Sequence, residues 1–316
     1  MELFTKIDIP ASSIRIDYTS RIAFFGSCFA DNISAQFAER KFKVMANPFG
    51  TVYNPVSLAS QIKAIADGKV FGEEDVFQDT RCDGHWHCWD VHSSLSGATK
   101  EECIGKLNAA ATQAQDFLKK ANVIFITLGS AFVYSLGGNV VANCHRQDPR
   151  LFERRLISVE ETSLSIQRIA SLLRNMNRDI RIVFTVSPIR HLGDGAHGNN
   201  LSKATVLLGI NNALEKITAG YFPSYEIVMD ELRDYRFYND DMIHLSKTAE
   251  EYIFERMTET YCDNTTRENM AKVEKFLKMA NHRIQDESSP ASLELKRKIA
   301  TQAKELEKQI PGLILG

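Results

Sequence analysis

Ser27 and Cys28, and much later in the chain Asp241 and His244, are the side chains whose types and spacing suit nucleophilic catalysis. A hydroxyl or thiol attacks, an imidazole takes its proton, and a carboxylate holds the imidazole in place. Asp241 and His244 stand three residues apart, so in a turn or at a helix start both lie on one side and the carboxylate can hold one ring nitrogen. Ser27 and Cys28 follow an apolar run, Arg21 to Phe25, that reads as a short buried strand. They precede Asp31 to Arg40, which has the spacing of an amphipathic helix. A strand turning sharply into a helix presents small side chains beside the helix's free N–H groups, where an oxyanion is stabilised and a cysteine ionises more readily. Taken singly, each feature also has a plain reading: turn packing for Ser27 and Cys28, a turn cap and a surface histidine for Asp241 and His244.

Other polar residues fall where a pocket around that turn would form. The run from Asn47 to Pro55 holds two prolines, a glycine and two asparagines, which fix a stiff loop. Gly50 can bring a backbone N–H to a ligand and Asn47 or Asn54 can donate an amide; a rigid turn with self-capping asparagines has the same composition. Both tryptophans, with His85, His87 and His92, sit between His85 and Ser94, as a pocket lining or an aromatic hairpin on the sheet. Cys82, His85, His87 and Cys88 have no common zinc-finger spacing, and alternation from Trp86 to Val91 reads as a strand, so neither a metal nor a cofactor is expected.

Strands and helices alternate around these residues. Asn122 to Leu128 and Asp179 to Val186 are continuous apolar strands, Phe42 to Ala46 is a second strand, and Tyr225 to Met229 reads as a further short one. Helices are expected over Pro55 to Asp67, Thr99 to Lys119, Ser158 to Asn175, Asn199 to Thr218 and from Ser246 to about Thr260. Apolar strands without alternation imply a parallel sheet covered on both faces, a doubly wound α/β fold. Ligands bind beyond the C-terminal ends of such strands, where Ser27, Cys28, Gly50, Gly129, Ser187 and His191 fall. From Asn264 the pattern becomes charged, amphipathic and helical over Lys272 to Ala280 and Ser292 to Lys308, with Ser288-Ser289-Pro290 between. The expected division is an α/β domain, 1–263, and a helical extension, 264–316, that packs on the domain or makes a homo-oligomer; Gly312 to Gly316 read as loose.

The 316 residues can bury a large core, and 44% apolar and 25% charged residues are ordinary for a globular protein. A formal net charge of −2 without a basic stripe argues against nucleic-acid binding by phosphate neutralisation. No run approaches a membrane-spanning length and Met1 to Ile9 has no signal-peptide core, which makes the cytoplasm the expected compartment. Six scattered cysteines read as reduced thiols, most of them buried.

Gly26-Ser27-Cys28-Phe29-Ala30 spells the motif that names the GSCFA family. The chain resembles that family from about Ser20 to Thr260, through Asn47-Pro48-Phe49-Gly50 with Asn54-Pro55, Asp90-Val91-His92-Ser93, Asn143-Cys144-His145, Ser187-Pro188 with Arg190-His191, and Asp241-Met242-Ile243-His244. The family is similar to the SGNH, or GDSL-like, hydrolases, so the resemblance implies a flavodoxin-like sheet and a protein that cleaves or transfers acyl esters. In register with the SGNH Gly-Asp-Ser block, Cys28 takes the nucleophile position, and Gly50 takes that of an oxyanion-donating glycine. Asp241 and His244 keep the last block. Gly129-Ser130-Ala131-Phe132 replaces Gly-x-Asn-Asp, so the oxyanion asparagine is absent, and Asn54, His92 and His145 are the substitutes to test; Gly129 and His191 complete the expected substrate-binding set. The implied function is an acyl-ester hydrolase acting on a small-molecule ester or an acylated glycan. The alternatives are an acyltransferase of the same fold and a glycan- or ligand-binding protein without turnover.

Overall fold

A computed structural model of the chain describes residues 5–81, 83–281 and 290–315. Its central sheet has five parallel strands, β1 (Arg21–Gly26), β2 (Lys43–Ala46), β3 (Val123–Leu128), β4 (Arg181–Val186) and β5 (Gly220–Tyr221). Their spatial order is β5-β4-β3-β1-β2. Around them lie α1 (Cys28–Glu39), α2 (Pro55–Ala66), α3 (Lys100–Leu118), α4 (Val159–Met176), α5 (Gly195–Leu214), α6 (Lys247–Tyr261), α7 (Asn264–Ala280) and α8 (Pro290–Gln309). Side chains of Asn54, Thr99, Ser158, Ser246 and Asp263 each accept a backbone N–H at the start of a helix, which explains why α2, α3, α4, α6 and α7 begin where they do.

The inner strands are apolar throughout because both sheet faces are covered. Successive side chains go to opposite sides: Ala23, Phe25, Ile124 and Ile126 join one core with α2 to α5. Ile22, Phe24, Val123 and Phe125 join the other with α1, α6 and α7. Strand order reverses between β1 and β3, and the crevice beyond their C-terminal ends is where doubly wound sheets hold ligands. At the end of β1 only glycine fits: Gly26 has φ +123°, and a Cβ there would lie 2.0 Å from the Thr127 carbonyl oxygen of β3.

Several expected elements differ. Tyr225 to Met229 is not a strand: Ser224–Glu226 is a helical turn continuing into a wide turn over Ile227–Glu231, and the fifth strand is the two-residue Gly220–Tyr221. Ile227 and Val228 both enter the same core, which adjacent strand residues cannot do. Helix α5 starts at Gly195 and ends at Leu214. In the Trp86–Val91 region only Trp86–His87 is strand, paired with Phe77–Gln78. A separate antiparallel sheet is formed by Phe132–Leu136, Asn139–Val141 and Glu153–Leu156.

The C-terminal helices bury their apolar stripes intramolecularly, with Met270, Val273, Phe276, Leu306 and Ile310 packed in the core that holds Ile16 and Tyr18. The tail after α8 is packed rather than loose: Leu313 is buried, and Gly312 lies against the backbone of Tyr18 and Thr19. Ser288, Ser289, Cys82, Gly316 and the first four residues lie outside the described residues. Among the described residues no helix is long and apolar enough to cross a membrane.

Candidate active site

The turn after β1 separates the two candidate nucleophiles. Ser27 is the N-cap of α1, but its side chain makes no cap bond; it is 1% exposed, and its Oγ has no hydrogen-bond partner among the described residues. Cys28, the first residue of α1, is half-buried and lines a pocket of about 240 Å³ together with Tyr53, Gly129, Arg190, His191 and His244. Burial pushes the Cys28 thiol up, with the charge of Asp31 adding to it; the N–H groups of Cys28 and Phe29 and the charge of Lys203 oppose them. The helix N-terminus alone favours a thiolate, as the sequence suggests, but here desolvation is the larger effect. At rest the group is a thiol that needs a base.

His244 lies across the same pocket. Asp241 Oδ2 accepts from its Nδ1 at 2.6 Å, while Oδ1 accepts the N–H groups of Ile243 and His244, each at 2.9 Å. These bonds hold the Asp241 carboxyl down at about 2, so it is ionised across the working range of any protein. A carboxylate partner puts the proton on Nδ1 and leaves Nε2 with its lone pair, and Nε2 has no hydrogen-bond partner among the described residues.

Helix α5 supplies the part of the site that sequence reasoning missed. Asn199, Ser202 and Lys203 are buried on the same face as Val206, at helical spacing. Each is tied to a loop that follows a strand. Asn199 Oδ1 accepts the His191 N–H at 3.0 Å, and Ser202 Oγ accepts the Ala131 N–H at 2.8 Å. Lys203 Nζ donates to the carbonyls of Gly129 at 2.8 Å and Ser187 at 2.6 Å. Burial pulls Lys203 down to about 7, the charge of Arg190 adds to this, and Cys28 opposes it. Three polar residues on the buried stripe of an otherwise apolar helix face are a signal the sequence does carry.

Other predicted residues lie around this centre without lining it. The Gly50 N–H donates to the Asn47 carbonyl at 2.7 Å, and a Cβ on Gly50 would fall 2.2 Å from His92 Cβ. Asn47 ties the loop to the turn: Oδ1 accepts the Gly26 N–H at 2.7 Å and Nδ2 donates to Asp31 at 2.8 Å. His92 Nδ1 accepts the Ser94 N–H at 3.2 Å. His145 donates from Nε2 to the Cys88 carbonyl at 2.8 Å and packs among Phe77, His87 and Trp89; burial pulls it down to about 4, which keeps it neutral. Asp79, Asp83 and His87, beside that cluster, offer ligand atoms within 4.8 Å of one another. Asn54 is buried and accepts the Ser57 N–H at 2.8 Å as the α2 cap. Asn54→Ala is therefore expected to cost about 1 kcal/mol in urea unfolding and to leave alkylation of Cys28 unchanged. Slower alkylation without a stability change would instead place its amide in the pocket.

The profile of the GSCFA family matches residues 21–257. No curated protein sequence matches the chain. Among solved structures, a putative GDSL-like lipase from Parabacteroides merdae aligns over 79% of this chain and 98% of its own, at 11% identity and a TM-score of 0.43. A carbohydrate esterase family 3 protein from Talaromyces cellulolyticus covers 81% of this chain and 99% of its own, at 7% identity and a TM-score of 0.37. A family two carbohydrate esterase from Clostridium thermocellum, solved with cellohexaose, covers 87% and 67%, at 13% identity and a TM-score of 0.36.

Proposed function

The chain belongs to the GSCFA family, and from that premise and the pocket geometry we propose that it is an acyl-ester hydrolase with Cys28 as nucleophile, His244 as general base and Asp241 as the group that orients His244. The observation that carries this reading is that a cysteine at a helix N-terminus and a carboxylate-held imidazole line one pocket. His244 Nε2 takes the thiol proton as Sγ attacks the acyl carbonyl, and the same proton then goes to the leaving alcohol. The resulting thioester is hydrolysed by a water that His244 deprotonates in turn. The N–H groups of Cys28 and Phe29, which already face the sulfur, are the donors we assign to the oxyanion. With the Gly50 N–H bonded to Asn47, the site has fewer free donors than the SGNH pattern provides.

The ester is that of a small molecule or an acylated glycan. A thioester intermediate also permits transfer to a second alcohol, and one observation favours keeping that reading: a further cavity of about 510 Å³, with room for an acceptor, adjoins the pocket at Arg190 and Leu192.

The test is acetylation by 4-nitrophenyl acetate, followed by intact mass and by peptide mapping of Cys28. Asp241→Asn and His244→Ala are each expected to slow acylation by about 10²- to 10⁴-fold without changing the thermal midpoint. Acylation of Cys28 at equal rates in wild type and both variants would remove His244 from the mechanism, and an absence of any turnover or adduct with short- and medium-chain esters would end the esterase reading.

A further inference from the structure

Arg190 sits where two cavities meet. The second cavity, about 510 Å³, shares Arg190 and Leu192 with the Cys28 pocket; Val228, Leu232, Tyr235 and Tyr238 line it together with the ion-paired Arg233 and Asp234. Arg190 is half-buried, and its one hydrogen bond to a described residue runs from Nη2 to Met229 Sδ at 3.5 Å, a weak acceptor. The acids on that side are engaged elsewhere, Asp230 by Arg233 and Asp234 by Arg236. The charge of Arg190 also helps to hold the buried Lys203 down.

A guanidinium has five donors in a planar fork, and taking it partly out of water with only a thioether as acceptor is unfavourable. The arrangement becomes favourable when a ligand brings a negative group, since carboxylate and phosphate fit the fork through two parallel bonds. We propose that Arg190 is the anion-binding residue of the substrate site, so that the ester presented to Cys28 carries a carboxylate or phosphate. This rests on the reading of Cys28 as the reacting atom. The negative group sits at the junction, the ester reaches toward Cys28 and His244, and the remainder of the substrate extends along the second cavity over Val228, Leu232, Tyr235 and Tyr238. Arg190 fixes which esters are accepted; it takes no proton.

The experiment compares alkylation of Cys28 by iodoacetate and by iodoacetamide, followed by peptide mapping. Both reagents consume the thiolate, so the ratio of their rates cancels the ionised fraction and reports the attraction of the pocket for a negative reagent. In the folded wild type the ratio is expected to exceed that of Cys28 in the urea-unfolded chain by roughly tenfold. Arg190→Gln brings it to the unfolded value, Arg190→Lys recovers part, and Arg155→Gln, which loses a residue paired to Glu161 outside both cavities, leaves it unchanged. A wild-type ratio equal to that of the unfolded chain, or one untouched by Arg190→Gln, overturns the proposal even if esters are turned over. A shifted ratio without ester turnover leaves the anion site standing and removes only the esterase reading. Should Arg190→Gln fail to fold, protection of wild-type Cys28 from iodoacetamide gives the same decision. Mono-methyl succinate, charged on its acyl side, or O-acetylglycolate, charged on its alcohol side, is expected to slow alkylation where succinamide does not. Protection by the first or the second tells which side carries the charge, and protection by neither overturns the proposal.

Discussion

Cys28→Ala is expected to lower kcat on a short-chain activated ester by roughly 10³-fold or more, while Ser27→Ala leaves it within about threefold. Adjacent residues at a turn point in different directions, and the structure separates them sharply. The Ser27 side chain is enclosed, with its Cβ packed toward Gly129, where an added Cβ would be 3.5 Å away. Its hydroxyl satisfies nothing, so removing it relieves an unpaired polar group, and Ser27→Ala should hold or slightly raise the urea midpoint. Cys28 faces the same pocket as His244, at the first position of α1, where its own N–H and that of Phe29 meet the sulfur. Cys28→Ser keeps the direction but replaces the thiol with a far weaker acid, and it is expected to fall between wild type and Cys28→Ala. The assay is steady-state hydrolysis of 4-nitrophenyl acetate with the acyl-enzyme followed by mass. Full loss in Ser27→Ala with activity kept in Cys28→Ala would mean that the turn rotates on substrate binding and that the serine is the nucleophile. Because burial pushes the Cys28 thiol up, alkylation by iodoacetamide should quicken as pH rises into the alkaline range.

The sheet was legible in the sequence for a specific reason. Strands covered on both faces must be apolar at every position, so Asn122 to Leu128 and Asp179 to Val186 stand out from a single reading. The fifth strand has two residues, too few to show any period, and the apolar pair Ile227-Val228 nearby has the composition of a strand while folding as a turn. Asp241 and His244 were legible because their partnership is local and needs only three residues of chain. The choice between Ser27 and Cys28 was not, since it depends on where α1 begins, and one residue of helix register exchanges the two. Lys203 is the clearest residue that was overlooked. A helix read for its apolar period treats a lysine as surface, yet Asn199, Ser202 and Lys203 occupy the buried stripe that Val206, Ile210 and Ala213 continue. Polar residues at i, i+3 and i+4 ahead of an apolar stripe mark a helix end that holds loops rather than core.

Lys203→Met should change the pH dependence of stability between about pH 7 and 10.5. The unfolded lysine ionises near 10.5 and the folded one at about 7. Between those values the unfolded chain binds a proton that the folded chain lacks, so stability rises with pH across the window, by up to about 1.4 kcal/mol per unit. Above 10.5 the contribution is fully present. It is lost as pH falls toward 7, and below 7 both states carry the proton and the fold bears the whole cost of burying it. A neutral amine has two N–H donors, which is what the carbonyls of Gly129 and Ser187 require. Methionine fills the same space but leaves both carbonyls unpaired, at about 1–3 kcal/mol each. Two effects therefore oppose each other, and pH decides between them. Near pH 6 the relief of the buried charge offsets the lost hydrogen bonds, and the variant should be close to wild type. Toward pH 9.5 most of that relief is gone, and the variant should be less stable by several kcal/mol. Over two pH units within the window the difference between the two curves should grow by about 2–3 kcal/mol. Urea unfolding of both proteins from pH 6 to 9.5 measures this directly, and parallel curves would show that Lys203 keeps its proton in the fold. The same substitution removes a charge that favours the Cys28 thiolate, so iodoacetamide should label the variant more slowly than wild type at pH 7. A lysine tied to the loops after β3 and β4 and electrically linked to Cys28 makes one residue answerable for both the shape of the pocket and the reactivity of that thiol.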